Sequence, residues 1–365
     1  MARLNRAEQQ ARNRARVLAA ARDEFAEHGF RDAKIDRIAE RVELTRGAVY
    51  SNFPGKRALY FSVLAEAAER ADEAPGVEPG TTAVAALGAL ARAWVSRLPL
   101  ADSDEPLRIG AGLTPEVLAD EPTRRSFAQL MRLDAVLLGL ALEALEPPPE
   151  PGGRRVRVAE TVLTTLYGAG QMVGVAPGFV DPFNVIRACE RLAGLDLDDA
   201  WPLPHVAHIP PASPVDEGWA PPEGFDAIRR RPVSLADDGV VAVLGLHRLE
   251  AVEDALRSAP ADAAVTAVVV TGDPAEQAPM ARLAVADLCG CLRQAFPEEA
   301  WPRLRLVFDD SGKTAAALGV PTVEDTTEVA VRVVGGRAVA RAGHRGAGHA
   351  VGSFVPARGG DRARR

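Results

Sequence analysis

The sequence predicts a multidomain protein whose first 200 residues are all-α and whose later residues form an α/β domain with a mixed sheet. Two observations predict this division. Up to about residue 195, apolar residues recur at helical spacing, whereas from residue 240 onward short apolar runs such as VVAVLGL and AVTAVVVT alternate with helical segments. Between the two regions, residues 201–225 are dense in proline and show no periodicity, which predicts a semi-extended linker.

Length and composition bound the class of protein. The 365 residues are enough for two or three domains, and 47% hydrophobic with 25% charged residues is typical of a soluble globular protein. The polar, basic N-terminus has no signal-peptide core, no apolar run reaches the length of a membrane span, and three cysteines do not make a disulfide framework. We therefore expect a cytoplasmic protein that engages no membrane.

The charge is uneven along the chain. Residues 1–60 carry 13 Lys and Arg against 8 Asp and Glu, whereas the other 305 residues carry 30 against 42. A basic head on an acidic body is typical of a protein that meets phosphate at one end only. Three arginines of the first predicted helix, Arg12, Arg14 and Arg16, either reach phosphate or form a solvated face.

Residues 35–56 predict two short helices joined by a tight turn, in the sequence IDRIAERVELTRGAVYSNFPGK. Ile35 and Ile38 have the spacing of a helical apolar face, and the pattern breaks before Thr45, whose hydroxyl is a good N-cap for the second helix. A preceding helix at residues 12–28 would cover the pair. Such a helix-turn-helix places its second helix in the major groove of DNA.

About a dozen positions of this segment resemble the DNA-binding domain of the tetracycline-repressor (TetR/AcrR) family. The matching residues are Gly29, Phe30, Ile35, Ile38, Ala39, Leu44, Thr45, Gly47, Ala48, Val49, Tyr50, Asn52, Phe53 and Lys56. The resemblance implies a TetR-like helix-turn-helix domain over residues 1–60. The expected DNA-binding residues are Lys34, Thr45, Arg46, Gly47, Ala48, Tyr50, Ser51, Asn52 and Lys56.

Two positions depart from the family pattern. Ala33 and Lys34 stand where the family has Thr or Ser residues that cap the second helix, so Asp32 is the expected cap. Glu43 stands where a turn glycine is usual. A non-glycine residue in a left-handed conformation costs up to about 1–2 kcal/mol.

Residues 61–200 are predicted to form an all-α domain of five or six helices. The predicted helices lie at 56–72, 81–98, 114–119, 122–145, 154–172 and 182–195. By resemblance, this domain binds an unknown small-molecule effector and forms a homodimer through its last two helices. Trp94, Phe127, Met131 and Tyr167 are the candidate effector-binding residues, and each also fits an ordinary core position.

Residues 226–356 are predicted to form the α/β domain, and residues 357–365 a disordered tail. Its helices are expected at 249–259, 274–296 and 312–318, between strands at 240–246, 264–271 and 304–308 and before a hairpin at 328–342. The stretch from 304 to 344 resembles the C-terminal half of thioredoxin-like and peroxiredoxin-like domains. The nucleophilic cysteine of those families is absent, since HRLEAVEDAL follows the first strand.

The other recognisable motifs do not predict a nucleotide-binding site or a catalytic site. Ser311, Gly312, Lys313 and Thr314 resemble the end of a phosphate-binding P-loop, but Val307 occupies the position of its first glycine. Cysteines 289 and 291 are two residues apart on a helix, so their sulfurs point about 200° apart. We expect no catalytic residues, no cofactor and no metal site.

The sequence therefore predicts a homodimeric transcriptional regulator, acting as a repressor, that binds an inverted-repeat operator in double-stranded DNA. An effector in the helical domain would shift the two heads and release the DNA. Two alternatives stay open. One is a thiol-redox or peroxidase-like enzyme tethered to a DNA-binding head, and the other is an interaction scaffold whose α/β region recruits a protein partner.

Overall fold

The computed structural model describes residues 6–71, 78–98, 116–117, 120–150, 152–201 and 208–355. The chain divides into two compact units. The helical unit combines Met1–Trp201 with Asp273–Pro302, and the α/β unit combines Pro202–Gly272 with Arg303–Arg365. Among the described helices, none has the length and apolar composition that crossing a membrane requires.

The helices and strands of the described residues follow the predicted order closely. The helices are α1 (Arg6–Asp32), α2 (Ile35–Arg41), α3 (Arg46–Tyr50), α4 (Lys56–Ala71), α5 (Ala83–Val95), α6 (Glu121–Leu145), α7 (Val156–Val175), α8 (Pro182–Leu192), α9 (Ala251–Ser258), α10 (Pro274–Ala295), α11 (Lys313–Ala317) and α12 (Ala347–Gly352). The strands are β1 (Ser213–Gly218), β2 (Gly224–Asp226), β3 (Arg231–Val233), β4 (Gly239–Gly245), β5 (Ala264–Val270), β6 (Leu304–Phe308), β7 (Glu328–Val334) and β8 (Arg337–Ala342). The short helix expected at 114–119 is helical at 116–117, and its other residues lie outside the described part, as does the expected tail.

Local capping explains where several helices begin. At α3 the Thr45 hydroxyl accepts from the amide of Ala48 at 3.2 Å, which confirms the predicted N-cap. At α6 the Asp120 carboxylate accepts from the amide of Thr123 at 2.8 Å. Gly29 has a φ of 70° and interrupts the helical path of α1 near its end, as expected of a glycine that terminates a helix.

The sequence does not predict how α2 begins, but it does predict the residue that forms the turn after this helix. The expected cap by Asp32 is wrong, because α1 includes this residue and the N-cap of α2 is Lys34, which makes no side-chain cap bond. The Lys34 amide instead donates to the buried carboxylate of Glu24 at 3.1 Å. Glu43 has a φ of 52°, which confirms that a non-glycine residue occupies the left-handed conformation in the turn.

Helix α10 lies in the helical unit, so the prediction that residues 274–296 belong to the α/β domain is wrong. It packs against α4, α5 and α6, with Leu288 and Leu292 buried among its apolar residues. The Gly80 amide donates to the Ala295 carbonyl at 2.9 Å. An amphipathic pattern shows that a helix has a buried face but not which surface covers it, and this is why the sequence misplaces α10.

The α/β unit contains a six-stranded mixed sheet in the order β1-β8-β7-β4-β5-β6, which confirms the predicted sheet type. Strands β4, β5 and β6 are parallel, whereas β7 is antiparallel to β4, and β8 to both β7 and β1. Every residue of β4 is buried. A strand that is buried on both faces reads as a continuous apolar run, which is why the sequence locates β4 and β5 well.

Residues 201–225, predicted to be a semi-extended linker, contain β1 and the start of β2, so part of this segment belongs to a sheet instead. Pro214 is compatible with β1, since this strand pairs only with β8 and an edge strand tolerates proline. The Trp219 indole is buried and donates to the Leu235 carbonyl at 2.7 Å. The partner strand begins more than 100 residues later, so no local pattern reveals the pairing.

Candidate DNA-binding face and effector site

Helix α3 buries one side and presents the other. Val49 and Phe53 are 1% and 2% exposed and anchor the helix in the core of the helix-turn-helix. Thr45, Arg46 and Tyr50 are exposed. The structure therefore brings these three predicted DNA-binding residues to one accessible face.

Arg46 has the chemistry for a base or phosphate contact. Its guanidinium lies 5.5 Å from the centroid of the Tyr50 ring and 3.5 Å from the Tyr50 hydroxyl. It also lies 3.5 Å from a carboxylate oxygen of Asp36 on α2. The hydrogen bond to Tyr50 and then the charge of Asp36 raise the pKa of Arg46. Exposed ion pairs are weak, so this guanidinium can exchange Asp36 for a phosphate or for the O6 and N7 of guanine.

The other predicted residues near α3 shape its C-terminal end and its backbone. The Ser51 hydroxyl and the Asn52 amide both donate to the Ala48 carbonyl at 2.8 Å. A Cβ at Gly47 would meet no neighbouring atom closer than 3.9 Å, so the backbone here is open to a partner. Lys34 is exposed at the start of α2.

Lys56 is engaged within the protein. Its ammonium group donates to the Arg31 carbonyl at 3.0 Å and lies 4.8 Å from the centroid of the Phe30 ring. Burial lowers the pKa of Lys56. This side chain therefore ties the start of α4 to the end of α1.

Two arginines of α1 hold the helix-turn-helix together, a role that the sequence did not predict. Arg14 donates to the Asn52 carbonyl at 2.9 Å, and its guanidinium lies 4.2 Å from the centroid of the Phe53 ring. Arg16 donates to the Val42 carbonyl at 2.6 Å. The available sequence signal was a basic stripe on the first helix, interpreted as phosphate contacts or a solvated face, whereas these contacts position the end of α3 and the turn before it.

Three of the four predicted effector residues meet in the helical unit. Tyr167 on α7 is their common neighbour. Its ring centroid lies 4.9 Å from that of Trp94 and 6.2 Å from that of Phe127, and both pairs have edge-to-face geometry. Met131 lies one helical turn after Phe127 on α6 and is partly exposed.

A buried carboxyl group that the sequence did not predict lies near these rings. Asp134 on α6 is 0% exposed, and neither of its carboxyl oxygens has a hydrogen-bond partner among the described residues. Burial, and then the charge of Asp287, raise the pKa of Asp134 well above its ordinary value. Its position was a usable signal, since it lies seven residues after Phe127, on the same helical face, within an apolar run.

Asp287 on α10 was missed as well, because α10 was assigned to the other domain. Its side chain is 29% exposed, yet burial raises the pKa of Asp287 to about 6, with the charge of Arg97 opposing that rise.

Arg97 contacts Asp287, and the charges of both acids act on Tyr167. An Arg97 nitrogen donates to the Asp287 carbonyl at 3.3 Å and lies 4.0 Å from an Asp287 carboxylate oxygen, while its Nη2 is buried without a partner in the described residues. Burial, followed by the charges of Asp134 and Asp287, raises the pKa of Tyr167 well above its ordinary value. We call this set the acid–aromatic cluster; it comprises Trp94, Arg97, Phe127, Asp134, Tyr167 and Asp287.

In the segment that resembles a P-loop, a carboxylate of the protein itself lies at the N-terminus of α11. The Asp309 carboxylate accepts from the amides of Lys313 and Thr314 at 3.1 and 2.7 Å, and from the Ser311 hydroxyl at 2.9 Å. The N-terminal amides of α11 are thus bound by the protein's own carboxylate, which leaves this helix end poorly suited to phosphate.

Comparison with known proteins places the helix-turn-helix in a family. Residues 17–63 match the model of the family described as bacterial regulatory proteins, tetR family. The chain is 37% identical over 60 residues to the HTH-type transcriptional repressor Rv1474c of Mycobacterium tuberculosis, covering 16% of this chain and 32% of that protein. It is 44% identical over 52 residues to the uncharacterized HTH-type transcriptional regulator TtgW of Pseudomonas putida, covering 14% and 39%. The chain thus spans only 32% and 39% of the length of these two curated relatives.

Similarity to solved structures is weaker. A transcriptional regulator from Rhodococcus sp. RHA1 has 23% identity and a TM-score of 0.36, with 52% of this chain and 99% of that chain covered. The fatty acid degradation regulator FadR from Bacillus halodurans has 19% identity and a TM-score of 0.34, with 51% and 97% covered. At these TM-scores the likeness supports no argument about the rest of the chain.

Proposed function

We propose that this chain, whose residues 17–63 are a DNA-binding domain of the TetR type, is a transcriptional repressor that binds an inverted-repeat operator as a homodimer. A small molecule bound in the helical unit releases the operator. The relative from Mycobacterium tuberculosis is named a repressor, which supports the same sign of regulation here.

The observation that carries this proposal is the capped, half-buried α3. Thr45 fixes the start of the helix, Val49 and Phe53 fix its orientation, and Arg46 and Tyr50 are exposed on the outer face. A recognition helix needs this combination, because side chains read a groove only when the helix that carries them is rigidly held.

An apolar face on α7, α8 and the turn between them supports the homodimer. Val175, Phe179 and Phe183 are 75%, 73% and 72% exposed, and Met172 is 37% exposed. Large apolar side chains that cluster on a surface mark sites of association. A two-fold dimer also suits an operator with two half-sites.

We assign no catalytic role to the α/β unit. The order of β5, β4, β7 and β8, with β4 and β5 parallel and β7 and β8 antiparallel, supports a thioredoxin-like core. The segment after β4 carries no cysteine, and cysteines 289 and 291 are buried on α10 in the helical unit. A thiol-redox enzyme needs an accessible thiolate at that first helix.

The experiment is operator selection followed by affinity measurements on matched variants. Genomic fragments retained by the full chain are sequenced, and binding of a selected fragment is measured by fluorescence anisotropy. We expect Arg46→Ala and Tyr50→Ala to lose about 5- to 150-fold in affinity, as expected when a DNA contact worth about 1–3 kcal/mol is lost. Arg124→Ala removes an equal charge from the exposed side of α6 and should bind as the wild type does.

The same variants are also compared by measuring how their affinity for DNA depends on salt concentration. If Arg46 contacts a phosphate, its loss reduces the slope of log K against log salt by about one. Equal affinity of Arg46→Ala, Tyr50→Ala and wild type for the selected fragment would show that α3 does not read this DNA.

A further inference from the structure

Asp134 stands out among the buried polar groups of the helical unit. A buried carboxyl group without a hydrogen-bond partner destabilises the folded state by about 1–3 kcal/mol. Asp134 lies in the middle of α6 between apolar neighbours. Neither of its carboxyl oxygens has a hydrogen-bond partner among the described residues. Polar groups that are left unsatisfied in a core are often sites where a ligand supplies the missing partner.

The charges around Asp134 indicate the sign of that ligand. Arg97 is already shared with Asp287, through the contacts at 3.3 and 4.0 Å. With both acids ionised, the cluster would hold two negative charges against one positive charge. A cation next to Asp134 would balance it, whereas an anion would have to compete with Asp287 for Arg97 and to approach a second acid.

The aromatic rings favour the same sign. Both acids are close enough to Tyr167 to raise its pKa, and the rings of Trp94 and Phe127 contact Tyr167. The faces of aromatic rings attract organic cations and repel anions. Calcium and magnesium ions are disfavoured, because each takes about six or more oxygen ligands and the aromatic rings offer none.

We infer that the acid–aromatic cluster binds an organic cation, an ammonium group on an apolar or aromatic body, with Asp134 as its counter-ion and the rings of Trp94, Phe127 and Tyr167 as its walls. This inference rests on the proposed effector role of the helical unit and names the chemical class of the effector. It also assigns part of the site to α10, through Asp287.

Cation binding should release a proton. The titratable and charged groups that face Asp134 are Asp287 on α10, Tyr167 on α7, Arg97 after α5 and the Cys291 thiol near Tyr167. Above pH 7 Asp287 is mostly ionised, since its pKa is about 6, and Tyr167 stays neutral because its pKa is raised. Asp134 is then the group that ionises when the cation arrives. Affinity should rise about tenfold for each pH unit while the free protein holds Asp134 protonated.

The test uses the full chain and one small probe with isosteres. Binding of phenyltrimethylammonium is measured by calorimetry at pH 7 and pH 8, beside neutral tert-butylbenzene, the anion 3-phenylpropanoate, and calcium ion. We expect the ammonium probe alone to bind, with an affinity that rises with pH and with net proton release, which is detected as a dependence of the binding enthalpy on the ionisation enthalpy of the buffer. Preference for either organic isostere, saturable binding of calcium, or no binding of the ammonium probe at millimolar concentration overturns the inference.

Two variants test whether the ammonium probe binds at the acid–aromatic cluster. Asp134→Asn keeps the shape of the neutral carboxyl group, so it should fold as the wild type does, yet it should lose about 100-fold or more in affinity for the ammonium probe, because a buried cation would be left unpaired. Glu121→Gln removes a carboxylate from the exposed start of the same helix and should bind normally. Wild-type affinity in Asp134→Asn refutes the assignment.

In a separate experiment, the affinity of the protein for the operator is measured with and without phenyltrimethylammonium. If phenyltrimethylammonium binds through Asp134 and leaves operator affinity unchanged, the cation site stands and the effector role in the proposed function fails. If operator binding is intact but only a neutral or anionic molecule releases it, the regulator stands and the cation site fails.

Discussion

Replacing Asp134 with alanine should stabilise the protein. The substitution removes a fully buried carboxyl group that has no hydrogen-bond partner among the described residues, which is worth about 1–3 kcal/mol. It also places a strong helix former inside α6, which is worth up to about 0.7 kcal/mol. Little apolar contact is lost, because the deleted atoms are polar. At acidic pH we therefore expect a net gain of about 1–3 kcal/mol in the free energy of unfolding.

The gain should grow with pH. The pKa of Asp134 is raised in the folded state from an ordinary value of 3.8, so between these two pKa values the unfolded state loses its proton and the folded state keeps it. The stability of the wild type therefore falls as pH rises through this window, by about 1.4 kcal/mol per pH unit. The alanine variant lacks this group, so its advantage should be larger at pH 7 than at pH 5.

The assay is urea unfolding, followed by far-ultraviolet circular dichroism at pH 5 and pH 7, with a second aspartate as control. The Asp199 side chain is also buried, at 4% exposure, but it accepts from Arg154 at 2.6 Å and from the Arg157 amide at 2.7 Å. Asp199→Ala should therefore lose about 3–5 kcal/mol. A loss of stability in Asp134→Ala, or a gain that is equal at both pH values, would refute the conclusion that Asp134 is buried, neutral and unpaired.

Three further outcomes follow from the described contacts. Glu43→Gly should raise the free energy of unfolding by up to about 1 kcal/mol in thermal unfolding, since it relieves a left-handed residue with a φ of 52°, and a destabilised variant would contradict the turn geometry. Asp36→Asn should strengthen binding to a selected operator, because it frees Arg46 and removes a negative charge; unchanged or weaker binding in fluorescence anisotropy would show that this pair does not compete with DNA. A chain that ends at residue 201 should aggregate or bind operator poorly, because it lacks α10; normal thermal unfolding and binding of that fragment would show that α10 is dispensable.

The sequence predicts the local features of this protein well. The N-cap at Thr45, the end of the regular first helix at residue 28 and the apolar run of β4 all depend on residues that are close together in the sequence. The accessible face of α3 follows from the same local information, because a fixed helix start and two buried residues determine which side chains point outward.

The features that it misses depend on contacts between distant segments. Strand β1 has a proline and an acidic, exposed sequence, and only its pairing with β8 identifies it as a strand. Asp134 and Asp287 are ordinary charges in the sequence until α10 is known to pack beside α6. The sequence therefore predicts the aromatic part of the candidate site, because its rings lie on helices of the first 200 residues. It does not predict the contribution of Asp287, which lies on a helix much later in the chain.

The connection between β5 and β6 explains why this acid is so distant. A helix that connects two parallel strands usually packs on its own sheet. Here the connecting helix is α10, and it packs with α4, α5 and α6 instead. Arg97 and Asp287 are in contact although 190 residues separate them in the chain. The helical unit can complete its core, and the acid–aromatic cluster with it, only after the chain has passed through β4 and β5 and returned, so neither unit is encoded by one continuous segment.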